Sequence, residues 1–174
     1  MLRTLRKRIG RLRRRLDSNR SPRTARDPLA LADWSRCYVP DHFTRKHSSF
    51  HQWLVSELDT LHPRRGTHLG VIAPRGSAKS TWASFAYPLR CAVEGYEPYI
   101  QIVSDTVGQA YLWLEAIKTE LEDNDRLAAD YPHVCGAGPV WRQDRIRLRN
   151  GVVIEALAPA ARFAAGAIDR SALL

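Results

Sequence analysis

The sequence contains few cysteines and no long apolar run, and each shortage excludes a class of protein. Cys37, Cys91 and Cys135 are widely spaced and share no metal-binding spacing. This argues against a disulfide scaffold and favours a reducing compartment. No apolar run approaches the roughly 20 residues that a membrane-spanning helix needs. The arginine-dense N-terminus has no continuous apolar region of the kind that secretory signals contain. We therefore expect a cytoplasmic protein without a membrane span.

Acidic residues are scarce at one end of the chain only. The net charge is +9, yet residues 1–26 hold eleven of the 27 lysines and arginines and a single acid, Asp17. The rest of the chain is nearly neutral, so the positive excess lies in an N-terminal tail. The apolar residues of this tail recur at helical spacing and predict a basic N-terminal helix. They are Leu2, Leu5, Ile9, Leu12 and Leu16.

This basic helix has several interpretations. An arginine-covered helix suits contact with the phosphate backbone of nucleic acid, with an anionic surface or with a partner helix. A solvated, frayed tail is the simplest alternative. A mitochondrial presequence has a similar composition, and only the rest of the chain argues against it. The segment "SNRSPRTARDP" predicts a linker, so residues 1–28 are expected to form a basic tail and linker.

Helical and strand-like segments alternate over residues 29–157. One helix is predicted after a cap at Ser48 or Ser49. Another is expected to begin at about Ser77 and to be kinked or shortened by Pro88. The apolar runs "HLGVIAP" and "YIQIVSD" are too short for helices and predict buried strands.

Two further elements complete the pattern. The helix over "TVGQAYLWLEAIKTELEDND" begins at a T-x-x-Q capping box, Thr106 and Gln109. In "RIRLRNGVVIEAL", alternating residues flank Asn150 and Gly151, which is a strong hairpin signal because both residues tolerate positive φ. Strands alternating with helices predict an α/β fold with a parallel three-layer sheet, flanking helices and a β-hairpin.

The stretch "HLGVIAPRGSAKST" comes close to a phosphate-binding loop. The usual pattern, G-x-x-x-x-G-K-[ST], has glycine where this chain has Ala73 and Ala78. Such a loop surrounds phosphate oxygens with backbone N–H groups and adds the positive end of the next helix. Lys79 then reaches the β- and γ-phosphates, and the Ser80 hydroxyl binds Mg²⁺. Alanine is expected to fit at the two glycine positions only where φ is negative. The alternative is a strand–turn–helix junction with an exposed lysine.

The segments "APRGSAKST", "IVSDTVGQA" and "NGVVIEAL" together resemble the large terminase subunit of tailed bacteriophages, the ATP-driven motor that packages viral DNA. The similarity covers about residues 35–157. In that family an early loop arginine and a small residue before the lysine are common, as in "RGSAKS". The resemblance implies a P-loop NTPase fold that binds ATP and Mg²⁺ in the bacterial host cell. Its implied partners are double-stranded DNA, the portal or procapsid and the small terminase subunit, with a possible homo-oligomer.

The resemblance also implies roles for individual residues. Lys79 becomes the phosphate lysine, Ser80 the Mg²⁺ ligand and Thr81 a supporting hydroxyl. Arg75 becomes the loop arginine that senses or stabilises phosphate charge. Gln52, in "FHQWL", matches a glutamine that reads adenine, although a glutamine on an amphipathic helix is more often simply solvated. The residues expected to hold the nucleotide are Ala73, Pro74, Arg75, Gly76, Ser77, Ala78, Lys79, Ser80 and Thr81, with Gln52.

Hydrolysis also needs a Walker B strand that ends in Asp and Glu. The one similar segment, "GVVIEAL", offers a single acid, Glu155, and in the family it precedes Walker B. Residues 158–174 then read "APAARFAAGAIDRSALL", an alanine-rich tail. We expect a truncated terminase whose tail comes from a shifted reading frame, able to bind ATP–Mg²⁺ without appreciable turnover. The alternatives are a non-catalytic DNA-binding fragment that uses the basic tail, and another P-loop enzyme such as a small kinase.

Three weaker patterns have simple structural interpretations. His42, His47 and His51 lie close in sequence, but no cysteine or acid pair completes a metal site. Surface and capping roles are therefore expected. The five tryptophans are scattered, which indicates packing rather than a base-stacking platform. Asp105 follows a predicted strand at the edge where α/β sheets bind ligands, so it could approach the site. The simplest expectation is that it caps the next helix.

Overall fold

The structure is a computed structural model and describes residues 29–64 and 66–158. The predicted basic helix and linker lie outside these residues, and so does the alanine-rich tail from residue 159 onward. The described chain is an α/β fold that combines helices with a four-stranded mixed sheet. None of its helices is both long and apolar enough to cross a membrane.

The helices begin and end at local signals in the sequence. In chain order they are α1 (Leu31–Tyr38), a short 3-10 helix (Pro40–His42), α2 (Ser49–Asp59), a π-helical turn (Thr81–Ala86) leading into α3 (Tyr87–Glu94), α4 (Val107–Asp123) and α5 (Asp125–Asp130). Ser48 caps α2 and Thr106 caps α4, as predicted. The cap expected from Asp105 is wrong, because Thr106 occupies the cap position and Asp105 is exposed. Gly95 ends α3 with a φ of 72°, a conformation that glycine adopts without strain.

Pro88 alters the hydrogen bonding of the helix that follows the loop instead of ending it. Proline has no N–H to donate to the carbonyl four residues earlier. Just before it, the Tyr87 N–H donates to the carbonyl of Trp82, five residues back, which is a π-helical bond. The predicted helix is therefore present, but it begins at Lys79 rather than at Ser77.

The sheet has the order β1-β4-β3-β2. Its strands are β1 (Tyr99–Val103), β2 (Val140–Trp141), β3 (Arg145–Arg147) and β4 (Val153–Leu157). β1 and β4 are parallel, with α4 in the crossover between them, whereas β3 pairs antiparallel with both β4 and β2. The predicted hairpin is confirmed. The predicted parallel pairing is found between β1 and β4, and the hairpin adds antiparallel strands to the same sheet, which is therefore mixed.

The turn of the hairpin differs in detail from the prediction. Gly151 has a φ of 90°, and its N–H donates to the carbonyl of Leu148 at 3.0 Å. Asn150 does not share the positive φ, so only one of the two residues uses the left-handed region. The Asn150 side chain instead donates to the carbonyl of Ala92 at 2.8 Å. This bond ties the hairpin turn to the end of α3.

The two faces of the sheet are covered unequally. Ile102, Ile146 and Ile154 are buried on the face that packs against α4. Because side chains alternate along a strand, the neighbours of these residues point the other way. Tyr99 and Val103 on that second face are 46% and 57% exposed. The predicted three-layer arrangement is therefore wrong for the described residues, which cover one face of the sheet.

The apolar run at residues 68–74 is not a strand, contrary to the prediction. Leu69 and Val71 pack partly against the core, but the Ile72 side chain is fully exposed. A strand in a sheet needs neighbours for its backbone N–H and C=O groups. No strand in the described part of the chain pairs with this run, so it leads into the loop without regular structure.

A buried ion pair ties the helix after the loop to α1 and α2. The Arg90 guanidinium on α3 is bonded to the Asp59 carboxylate at the end of α2, and Arg90 is 2% exposed. The Asp59 oxygens also accept the Leu31 N–H at 3.0 and 3.2 Å, at the start of α1. Three helices therefore meet at one carboxylate. This contact fixes α2 relative to the helix that begins at Lys79.

Candidate functional site

The loop at residues 73–81 forms a turn followed at once by a helix. The Ser77 N–H donates to the carbonyl of Pro74 at 3.4 Å, and Gly76 has a φ of 80°. The Trp82 N–H donates to the carbonyl of Ala78 at 3.2 Å. The N–H groups of the helical residues before Trp82 have no intrahelical acceptor, because every helix begins with such groups. The loop therefore presents the positive end of a helix to a ligand.

Lys79 extends back across this loop. Its ammonium Nζ lies 3.4 Å from the carbonyl oxygen of Ala73, the first residue of the loop, and the side chain is partly buried. An exposed lysine at a strand–turn–helix junction would extend into solvent. The observed position places the ammonium between the two ends of the loop, where it can meet an anion held by the backbone.

Ala78 has a left-handed backbone conformation, which glycine adopts without strain. Its φ is 53°, and it is the one described residue other than glycine with positive φ. The expectation that alanine fits here with negative φ is wrong. A left-handed alanine costs about 1–2 kcal/mol relative to the right-handed conformation. Ala73, at the other substituted position, does not have positive φ and carries no such cost.

The remaining loop side chains are placed at or near the surface. Pro74, Arg75 and Gly76 are exposed, whereas Ser80 and Thr81 are partly exposed at the start of the helix. The Ser77 hydroxyl is buried and has no hydrogen-bond partner among the described residues. Buried polar atoms are normally satisfied, so this hydroxyl is a donor that a bound ligand could use.

Helix α2 contacts the loop through a residue that the sequence reasoning did not assign to the site. The Nε2 atom of His51 lies 2.8 Å from the carbonyl oxygen of Ser77. The adjacent residue, Gln52, is exposed and lines a cleft of about 270 Å³ between α1 and α2, which none of residues 73–81 lines. The contact from His51 still brings the predicted adenine-reading helix beside the predicted phosphate loop. The position of His51, three residues after Ser48, indicated only the capping box, and no pattern in the sequence indicated its contact with the loop.

The Glu155 side chain forms a hydrogen bond within the sheet. It lies on β4 opposite Gln101 of β1 and Arg145 of β3, and its carboxylate accepts a hydrogen bond from the Tyr99 hydroxyl. Its side chain therefore belongs to the second face of the sheet.

The three histidines that lie close together in the sequence, His42, His47 and His51, all have structural partners. His42 Nε2 lies 3.3 Å from a carboxylate oxygen of Glu120, and the His47 ring packs edge-on against Trp82 at 5.1 Å. Burial lowers the pKa of His47, and the charge of nearby Arg36 lowers it further. His51 forms the capping box with Ser48, so the capping role is confirmed for this residue. No group of three metal-binding side chains occurs in residues 29–64 and 66–158.

Four of the five tryptophans pack in or against the core, and Trp113 and Trp141 are the two that are partly buried against it. Trp34 and Trp82 are buried in the core, which confirms the packing role for both. Trp53, on α2, is 44% exposed and does not fit that interpretation.

Comparison of the chain with protein-family models, with curated proteins and with solved structures gave no match. The resemblance to terminases therefore stays a prediction from the loop and its neighbouring segments.

Proposed function

We propose that this chain binds ATP and Mg²⁺ in the loop at residues 73–81, as the ATP-binding part of a terminase-like large subunit. The observation that carries the proposal is the position of Lys79. Its ammonium lies within the loop, 3.4 Å from the Ala73 carbonyl, at the start of a helix. A cation held between a turn and a helix N-terminus is the arrangement that binds a triphosphate.

Each loop residue has a defined task in this proposal. Lys79 contacts the β- and γ-phosphates, and backbone N–H groups of the loop surround the phosphate oxygens. Pro74 has no N–H to offer, and the Ser77 N–H is bonded to the Pro74 carbonyl. Ser80 provides the hydroxyl for Mg²⁺, and Thr81 supports it. Arg75 is exposed beside the loop and can swing onto the phosphates, where it would stabilise developing negative charge. Gln52 lines the cleft beside His51 and reads the adenine edge.

The described residues fit a triphosphate at two points besides the lysine. The buried Ser77 hydroxyl has no partner within residues 29–64 and 66–158, so it can donate to a phosphate oxygen. Ala78 has the left-handed φ that lets successive N–H groups turn towards one anion, although alanine reaches this φ at a cost. The strain at Ala78 is therefore consistent with a loop shape that a ligand requires.

Turnover is a separate question from binding. Hydrolysis needs an acid that orients the attacking water and holds the metal. The candidate in the sequence, Glu155, is bonded to Tyr99 on the second face of the sheet. The proposal is therefore ATP binding without appreciable hydrolysis by the 174-residue chain. Coupling to double-stranded DNA, the portal or procapsid, the small subunit or further copies would take place in a larger assembly in the bacterial cytoplasm.

The experiment is a titration of the full chain with ATP, with and without Mg²⁺, combined with a phosphate-release assay. We expect Mg²⁺ to strengthen binding and Ser80→Ala to remove that strengthening. The matched control is Ser84→Ala, a serine one turn further along the same helix. An affinity of the unaltered chain for ATP that is the same with and without Mg²⁺ would contradict the metal role of Ser80. Steady phosphate release that Lys79→Ala abolishes would show that the chain does hydrolyse ATP.

A second candidate function follows from the charge distribution. Eleven of the 27 lysines and arginines lie in residues 1–26, a concentration that suits the phosphate backbone of DNA. In this alternative the chain is a DNA-binding fragment without catalytic activity. Deletion of residues 1–26 should then abolish salt-dependent DNA binding while leaving ATP binding intact. Equal DNA binding by the shortened and the full chain would exclude this function for the tail.

A further inference from the structure

His51 makes hydrogen bonds from both ring nitrogens to two different segments of backbone. Its Nδ1 lies 3.1 Å from the backbone nitrogen of Ser48, the residue that caps α2. Its Nε2 lies 2.8 Å from the carbonyl oxygen of Ser77 in the loop. His51 and Ser77 are 26 positions apart in the chain, so the ring is a bridge between α2 and the loop.

The two partners determine where the proton of the ring lies. A backbone N–H can only donate, so Nδ1 of His51 must accept the bond from Ser48. A carbonyl oxygen can only accept, so Nε2 must carry the proton that is donated to Ser77. The ring is therefore neutral and protonated at Nε2. A histidine whose second nitrogen is held in this way has a fixed tautomer and a fixed orientation.

The bond to Ser77 also fixes the peptide unit that joins Ser77 to Ala78. A peptide is planar and trans, so its C=O and N–H point in opposite directions. Because the Ser77 carbonyl points towards His51, the Ala78 N–H points away from α2. Ala78 is also the residue held at a φ of 53°. The hydrogen bond from His51 therefore constrains the peptide next to Ala78, the strained residue of the loop.

We propose that His51 is a positioning residue for the phosphate loop: it holds the Ser77–Ala78 peptide in the orientation that binds phosphate. This inference rests on the proposed ATP-binding function. It adds a connection between base and phosphate recognition, because Gln52, next to His51 on α2, is the residue proposed to read adenine. When adenine binds to Gln52 and orders α2, the hydrogen bond from His51 to Ser77 orders the loop as well.

Two substitutions separate the capping role of His51 from its role at the loop. In His51→Asn the amide oxygen takes the place of Nδ1, so the bond from Ser48 is retained and the bond to Ser77 is lost. In His51→Gln the longer side chain places an N–H near the position of Nε2, so the bond to Ser77 is retained. A merely structural role in the cap predicts that the asparagine variant resembles the unaltered chain.

The experiment measures hydrogen–deuterium exchange of residues 73–81 and ATP–Mg²⁺ affinity in the full chain and in both variants. In His51→Asn we expect faster exchange of the loop amides and about fivefold weaker binding of ATP–Mg²⁺, because one hydrogen bond contributes about that factor. In His51→Gln we expect the exchange rate and the affinity of the unaltered chain. His133→Asn, at an exposed histidine, is the matched control. Unaltered exchange and affinity in the asparagine variant would overturn the proposal.

Failure of this inference can be told apart from failure of the proposed function. If the unaltered chain does not bind ATP–Mg²⁺, the function is wrong, but the exchange comparison still tests the bridge from His51 to the loop. If all variants bind ATP equally, the function stands and the bridge has no role in it. Should the asparagine variant unfold, nitrogen NMR of the unaltered chain decides. A proton on Nε2 with an unprotonated Nδ1 supports the bridge, and the opposite tautomer overturns it.

Discussion

Two five-residue apolar runs in this chain have similar composition but different structures. Residues 69–73, "LGVIA", precede the loop, and residues 153–157, "VIEAL", form β4. β4 is paired on both sides, with β1 and β3, and its Ile154 is completely buried. The first run has no strand beside it among the described residues, and its Ile72 is fully exposed.

The difference shows that apolar composition alone does not make a strand. In the first run Leu69, Val71 and Ala73 are partly buried while Gly70 and Ile72 are exposed, which is the alternation of a strand with one covered face. The backbone groups of a strand still need partners, and a neighbouring strand supplies them for β4 only. The loop that carries Lys79 therefore follows an unpaired segment, so its shape depends on local contacts such as the one from His51.

The largest expected effect tests the two isoleucines against each other. Ile154→Ala should lower the free energy of unfolding by ~3 kcal/mol, because it leaves a cavity in the core. Ile72→Ala should change it by less than ~0.5 kcal/mol, because that side chain is in solvent. Urea unfolding measures both. A loss of more than ~1 kcal/mol in Ile72→Ala would mean that the first run is packed as β4 is.

A smaller effect compares the turns next to the two runs, one before β4 and one after residues 69–73. Gly151→Ala should destabilise the hairpin by ~1 kcal/mol, because its φ of 90° favours glycine. Ala78→Gly should have the opposite sign and stabilise the chain by ~0.5 kcal/mol, because relief of ~1–2 kcal/mol of strain exceeds the ~0.4–1 kcal/mol entropic cost of glycine. Thermal melts of the two variants show whether each substitution raises or lowers the stability of the chain. Destabilisation by Ala78→Gly would contradict the strained loop.

The smallest effect concerns two buried cysteines, one near each region. Cys91 lies on α3, after the loop, and Cys135 lies shortly before the hairpin. Burial raises the pKa of Cys91 to about 12 and that of Cys135 to about 11. Because the thiolate is the reactive form, neither should react with a thiol reagent at roughly pH 8, whereas the partly exposed Cys37 should. Labelling of Cys91 as fast as Cys37 would show that the helix after the loop opens readily.

The sequence predicted the features that depend on neighbouring residues. The caps at Ser48 and Thr106 and the hairpin at Asn150 and Gly151 are signals within a few positions, and the structure confirms them. The α/β class followed from the alternation of such elements. Pro88 indicated a distorted helix, but the form of the distortion, a π-helical turn, depends on how the surrounding helices pack.

The features that were missed depend on distant contacts. Whether residues 69–73 pair as a strand depends on segments elsewhere in the chain, and the mixed sheet depends on which strand lies beside β4. The contact of His51 with Ser77 joins residues 26 positions apart, and no local pattern predicts it. The φ of Ala78 is a different case. The residue type favoured a negative φ at this position, and the turn holds the alanine at 53° instead.

The most direct test of the central claim is the affinity of the full chain for ATP–Mg²⁺ with and without the Lys79 ammonium. Removal of a charged hydrogen bond to phosphate should weaken binding by roughly 10- to 100-fold in Lys79→Ala. Lys118→Ala removes the same charge from α4, where the lysine pairs with Glu115, and should bind as the unaltered chain does. Calorimetric titration distinguishes the two. No binding by the unaltered chain, or equal binding by the Lys79→Ala variant, would contradict a phosphate site at this loop.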